Sequence, residues 1–141
     1  MGVNVIYKTK ATATGGRDGA ARSEDGSVDV KLVVPKEMGG PGGEGANPEK
    51  LFAAGYSACF LGAMKAVSGK EGVKVPPDAT VTAEVGFGPR EEGGYGITVD
   101  LVASLPGVDR ADGERLMHAA HQVCPYSNAT RNNVNVGLTL A

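Results

Sequence analysis

Between Leu51 and Met64 the chain reads LFAAGYSACFLGAM, 14 residues without a charge and rich in Gly, Ala and Ser. Directly upstream stand Asn47, an N-cap residue type, Pro48, suited to the first helical position, and Glu49, whose charge complements the positive end of a helix dipole. Together they predict a helix from residue 48 to about residue 68. Fourteen uncharged residues fall short of the ~20 that a membrane span needs, so the segment is expected to be a buried central helix. Its many small residues allow another backbone to come close.

Alternation of apolar and polar residues predicts strands at Val3-Val5-Tyr7, Val28-Val30-Leu32-Val34, Val81-Ala83-Val85-Phe87, Ile97-Val99-Leu101-Ala103-Leu105 and Val134-Val136-Leu138-Leu140. Turn signals at Gly15-Gly16-Arg17-Asp18-Gly19, Glu24-Asp25-Gly26, Pro76-Pro77-Asp78 and Glu91-Glu92-Gly93-Gly94 separate them, a spacing that suggests hairpins rather than parallel crossovers. A second helix is expected over residues 109–124, with Leu116, Met117, Ala120, Val123 and Cys124 on one stripe and Pro125 ending it. Strands in two sets with helices between them read as an α+β fold.

The 141 residues suit a single domain, 1–141. Leu, Ile, Val and Phe supply only 30 of them, and Gly supplies 22, so the core is lean and a partner subunit is expected to complete its burial. A net charge of -2 without a Lys/Arg cluster argues against a nucleic-acid partner. The first 13 residues lack the apolar stretch of a signal peptide, and Ile6 stands where a myristoylation signal wants Ser or Thr. The expectation is a cytoplasmic protein without membrane insertion.

Gly40-Pro41-Gly42-Gly43-Glu44-Gly45 has the spacing of a dinucleotide-binding turn. Its context does not fit, because Pro41 removes an N–H that would face a phosphate and no acidic residue stands ~20 positions on. A flexible Gly-rich loop is the better reading. His118, His121 and Cys124 follow one another at three-residue steps, but structural zinc normally takes four ligands and the chain has no further His or CxxC, so solvated histidines on a helix flank are expected and no metal.

Two cysteines remain, Cys59 and Cys124, either inert buried thiols or a redox pair. Cys59 lies eleven residues past Pro48, ~16 Å along its helix and beyond reach of the dipole at that end. Burial alone would raise its pKa, so on this reading a reactive Cys59 requires a side-chain cation.

The stretch from Asn47 to Phe60, NPEKLFAAGYSACF, with Cys124-Pro125-Tyr126-Ser127-Asn128-Ala129-Thr130-Arg131 downstream and the Gly15–Gly19 turn upstream, resembles the organic hydroperoxide resistance proteins of the Ohr/OsmC superfamily. The likeness covers nearly the whole chain. Departures are small: Asn132-Asn133 follows Arg131 where Gly-Asn is more typical, and residues 39–45 are unusually Gly-rich.

The resemblance implies antiparallel strands around the central helix, an intertwined homodimer, and a thiol peroxidase that reduces organic hydroperoxides, fatty-acid hydroperoxides included, to alcohols. Cys59 would be the peroxidatic thiol and Cys124 the partner that closes a disulfide with it. Arg17 would hold the thiolate and polarise the peroxide, and Glu49 would orient Arg17. Phe52, Tyr56 and Phe60 would line a lipophilic pocket or simply fill the core. No cofactor is bound; dihydrolipoyl groups on lipoylated proteins would return the electrons. The sister branch's preference for hydrogen peroxide, and a non-enzymatic thiol sensor or lipid-binding module, are the alternatives. Glu49 and Cys59 are ten positions apart, ~15 Å along one straight helix. Either a second subunit supplies Glu49 to each Cys59, or the helix begins after Glu49 and a loop folds back.

Overall fold

The computed structural model describes residues 2–141, and the chain divides into two compact units, Met1–Pro48 and Glu49–Ala141. The first unit is a small antiparallel sheet of β1 (Ala11–Thr14), β2 (Ala20–Ser23) and β3 (Asp29–Lys31) in the order β1-β2-β3. A 3-10 turn at Gly16–Asp18 joins β1 to β2, with Thr14 paired to Ala20 and Ala11 to Ser23. The turn closes tightly enough that a Cβ on Gly19 would lie 1.8 Å from the Thr14 carbonyl oxygen. Arg17 is therefore displayed on a turn that tolerates little change behind it.

One expectation for this unit is corrected. The Val3-Val5-Tyr7 segment forms no strand: Ile6 breaks its alternation, and with Val3 exposed at 85% and Ile6 at 99%, no strand among the described residues covers those side chains. The glycine-rich segment is a loop, as expected, with hydrogen bonds from Gly40 N–H to the Pro35 carbonyl, Gly42 N–H to that of Val34 and Ala46 N–H to that of Lys31.

The second unit contains α1 (Pro48–Glu71), β4 (Thr80–Pro89), β5 (Tyr95–Ser104), α2 (Arg110–Val123), α3 (Pro125–Thr130) and β6 (Val136–Leu140). Its sheet has the order β4-β5-β6. β4 and β5 make the expected antiparallel hairpin, but β6 pairs with β5 in parallel, Val99 opposite Val136 and Leu101 opposite Leu138. The two helices between them supply the crossover that a parallel pair requires. The uninterrupted hairpin spacing read from the sequence thus fails at the last strand.

Tyr56, Phe60 and Met64 of α1 meet Val99, Leu101 and Ala103 of β5 and Leu116, Met117 and Ala120 of α2 in one buried cluster. The Ser57 hydroxyl also accepts the Ala83 N–H at 3.0 Å, fastening α1 to the free edge of β4. Only one side of α1 is covered. Leu51, Ala54, Ala58 and Gly62 are exposed on the other, so within a single chain the helix is half-buried rather than buried all round. By length and composition alone α1 could cross a membrane, since its 24 residues extend beyond the uncharged stretch at both ends. On α2 the apolar stripe holds except at Val123, which is exposed.

Candidate active site

Pro125 ends α2 as expected and then opens a helix that the sequence reading did not predict. Cys124 stands at the corner between the two. Its backbone is extended, its N–H bonds to the Ala120 carbonyl at the end of α2, and its own carbonyl accepts the Asn128 N–H that starts α3. Its side chain is wholly buried.

Across from this corner lies Cys59, half-buried on α1. The two sulfurs are 3.3 Å apart and both thiols are free. A disulfide has its sulfurs at ~2.05 Å, so bonding them needs a movement of little more than 1 Å.

Three influences act on the Cys59 thiol. Burial raises its pKa most, the backbone N–H of Tyr126 donates to the sulfur and lowers it, and the adjacent Cys124 raises it, with a net upward shift. The Tyr126 amide is the component missed from sequence. The dipole of Cys59's own helix is indeed too remote, but an N–H in the first turn of α3 reaches the sulfur instead. Pro125 at the first position of α3 has no N–H, which leaves Tyr126 as that helix's first donor.

Aromatic contacts seat α3 on α1. The Tyr126 ring lies 5.6 Å from those of Phe52 and Tyr56. It can do so because residue 55 is glycine: a Cβ there would stand 2.8 Å from the Tyr126 hydroxyl oxygen. Of the three residues considered for a lipophilic pocket, Tyr56 and Phe60 are sealed in the core, and Phe52 alone keeps exposed surface.

A polar chain runs beneath the rings. The Tyr56 hydroxyl is 2.8 Å from Ser127 Oγ and 3.2 Å from Thr130 Oγ1, and Ser127 Oγ is 2.7 Å from His121 Nδ1. Thr130 donates to the Tyr126 carbonyl at 3.0 Å. His121 thus engages Ser127 through a ring nitrogen that the sequence reading had assigned to solvent, and burial first, then Arg131 and His118, push its pKa down. Among the described residues no buried side-chain polar atom lacks a partner. Arg131 reaches back from the end of α3 to the His121 carbonyl and to Asn128 Oδ1.

Arg17 is half-buried in the 3-10 turn of the first unit. Glu49 is half-buried in the first turn of α1. The helix begins at Pro48, so the alternative of a start after Glu49 is excluded, and Glu49 and Cys59 ride one helix ~15 Å apart along its axis. A surface cleft of about 340 Å³ at the end of the β4–β5 hairpin, lined by Phe87, Pro89, Arg90 and Ile97 among others, contains neither cysteine.

Comparison with known proteins places these features in context. The family model for OsmC-like proteins matches residues 40–139. An organic hydroperoxide resistance protein of Xanthomonas axonopodis pv. citri is 55% identical over 137 residues, covering 97% of this chain and 96% of that protein. Organic hydroperoxide resistance protein OhrB of Bacillus subtilis is 42% identical over 136 residues, 96% of this chain and 98% of that one. Among solved structures, an organic hydroperoxide resistance protein of Elizabethkingia anophelis superposes with a TM-score of 0.91 at 47% identity, with 99% of each chain covered. The chain belongs to the OsmC-like family, and within it stands beside the organic hydroperoxide resistance proteins.

Proposed function

We propose that this protein is a two-cysteine peroxidase that reduces organic hydroperoxides to alcohols. The observation that carries the reading is the 3.3 Å approach of two free thiols in unequal settings, one accessible and met by a backbone N–H, the other sealed at a helix corner. The Cys59 thiolate attacks the distal peroxide oxygen and the O–O bond breaks. The alkoxide leaves and takes up a proton to become the alcohol, and Cys59 is left as a sulfenic acid. The Cys124 sulfur then attacks that of Cys59, the S–O bond breaks, and the hydroxide departs as water with the proton Cys124 gives up. A dihydrolipoyl dithiol, carried by a lipoylated protein, reduces the resulting disulfide and is itself oxidised to the cyclic disulfide.

In this reading Arg17 supplies the cation that favours the Cys59 thiolate, and Glu49 orients it. The protein works in the cytoplasm as an intertwined homodimer. The uncovered small-residue face of α1 and the exposed Val3, Val5, Ile6 and Tyr7 support a partner subunit. The continuous helix between Glu49 and Cys59 is a further reason to assign Glu49 to the partner's site.

The test is steady-state turnover with dihydrolipoamide or thioredoxin as reductant, comparing cumene or fatty-acid hydroperoxide with hydrogen peroxide. Rapid turnover confined to organic hydroperoxide and dihydrolipoamide is expected. Preference for hydrogen peroxide would assign the protein to the sister activity, and absence of turnover with either would leave a sensor or binding module.

A further inference from the structure

Tyr56 and Cys59 are three residues apart on α1, and so share a face; Cys124 and Ser127 are three apart at the start of α3. The two pairs meet in antiparallel register. Cys59 touches Cys124, and one turn away Tyr56 Oη bonds Ser127 Oγ at 2.8 Å. We propose that the Tyr56–Ser127 bond, continued to Thr130 and His121, is a registration device: it holds the α2–α3 corner so that Cys124 faces the Cys59 sulfur when the disulfide closes. Tyr56 and Ser127 are then positioning residues, a role that rests on the two-cysteine reading above.

The bonding closes in either tautomer of neutral His121. Tyr56 donates to Ser127 and Ser127 to Nδ1, or Nδ1–H donates to Ser127, Ser127 to Tyr56 and Tyr56 to Thr130, and in both Thr130 donates to the Tyr126 carbonyl. Each hydroxyl has a partner inside a site that water does not enter, since Tyr56 and Ser127 have no exposed surface and Thr130 only 4%. Polar groups buried this fully act through direction: rotating or sliding α3 away from α1 would break bonds that no solvent replaces. The same hold fixes the Tyr126 amide against Cys59.

Closure can be read without peroxide. An aromatic disulfide exchanges with the accessible Cys59 thiolate, releasing one aryl thiolate and leaving a mixed disulfide. Cys124 then attacks the Cys59 sulfur and expels the second aryl thiolate, so two coloured releases report attachment and closure separately. Tyr56→Phe keeps the ring and removes only the hydroxyl; Ser127→Ala removes the link to both Tyr56 and His121. In either folded variant the second release, divided by the first, is expected to slow about tenfold, the equivalent of ~1.4 kcal/mol. A ratio within twofold of the parent in Tyr56→Phe overturns the proposal, whatever happens to thermal stability. Should Ser127→Ala fail to fold, Tyr56→Phe decides alone. A parallel measurement with cumene hydroperoxide keeps the two ideas apart: if the parent's thiols are not oxidised there, the peroxidase reading falls, while the exchange ratio still judges the register.

Discussion

Replacing Cys124 by serine should make Cys59 a stronger acid. Two thiolates 3.3 Å apart would repel each other by about 5 kcal/mol at an effective dielectric constant of ~20, and by over 1 kcal/mol even in bulk water, so the two thiols do not ionise together. That coupling is one of the causes that raise the Cys59 pKa, after burial. Cys124→Ser removes the competing charge and replaces the thiol that already donates to the Cys59 sulfur with a hydroxyl, while the Tyr126 amide stays in place. Loss of the charge favours the thiolate. Thiolate absorbance and the pH dependence of haloacetamide alkylation should therefore show Cys59 ionising at lower pH in the variant than in the parent. The same variant should consume about one equivalent of organic hydroperoxide per chain and stop, whereas Cys59→Ser should consume none. A Cys59 titration unmoved or shifted upward in Cys124→Ser would show that the sulfurs do not interact as their distance implies. Sustained turnover by either variant would end the two-cysteine scheme.

His121 has a lowered folded pKa, so its contribution to stability is complete above its ordinary value of 6.5 and is lost as pH falls below that value toward the folded one. Urea midpoints measured from pH 8 down to pH 5 should decline more steeply for the parent than for His121→Asn, and equal slopes would assign the loss to other groups. Gly19→Ala should destabilise the β1–β2 hairpin by at least ~3 kcal/mol, the upper end of overpacking costs, because the new Cβ falls 1.8 Å from backbone rather than from a side chain that could turn aside. A parent-like denaturation midpoint would mean that the turn relaxes. Asn132 sits at φ 66°, left-handed territory where glycine and asparagine are tolerated, so Asn132→Ala should cost about 1 kcal/mol and Asn132→Gly nothing; equal losses in both would point to a side-chain role.

That last position shows what kind of information the sequence held. Asn132 differs from the Gly expected by resemblance, and the backbone explains the exchange, since both residue types accept positive φ. Long alternating segments were legible for the same reason of local physics: β4 and β5 start and end within two residues of the predicted alternation, because their side chains face a core on one side only. Where a feature depended on a distant partner, local patterns misled. Val3-Val5-Tyr7, interrupted by Ile6, has no strand to pair with among the described residues. β2 was missed because AARS carries no apolar alternation, and α3 because six residues are too few to display a period.

The candidate site divides along the same line. Both cysteines stood out, and the expectation that burial opposes Cys59 ionisation was right, but reading one helix at a time overlooked a backbone donor that offsets part of that burial while the net shift stays upward. The amide comes from a residue 67 positions downstream. Pro125 carries two consequences that the sequence reading treated as one. By lacking an N–H and fitting only a first helical turn, it ends α2 and begins α3, and the resulting corner turns the Cys124 sulfur and the Tyr126 amide toward the same atom. A thiol that must first be held as an anion and then be attacked needs both groups on one side of it. A straight continuation of α2 through residue 126 would commit the Tyr126 N–H to the carbonyl of Gln122, four residues back, and leave nothing for the sulfur. The break at Pro125 is therefore what allows a single corner to serve both steps.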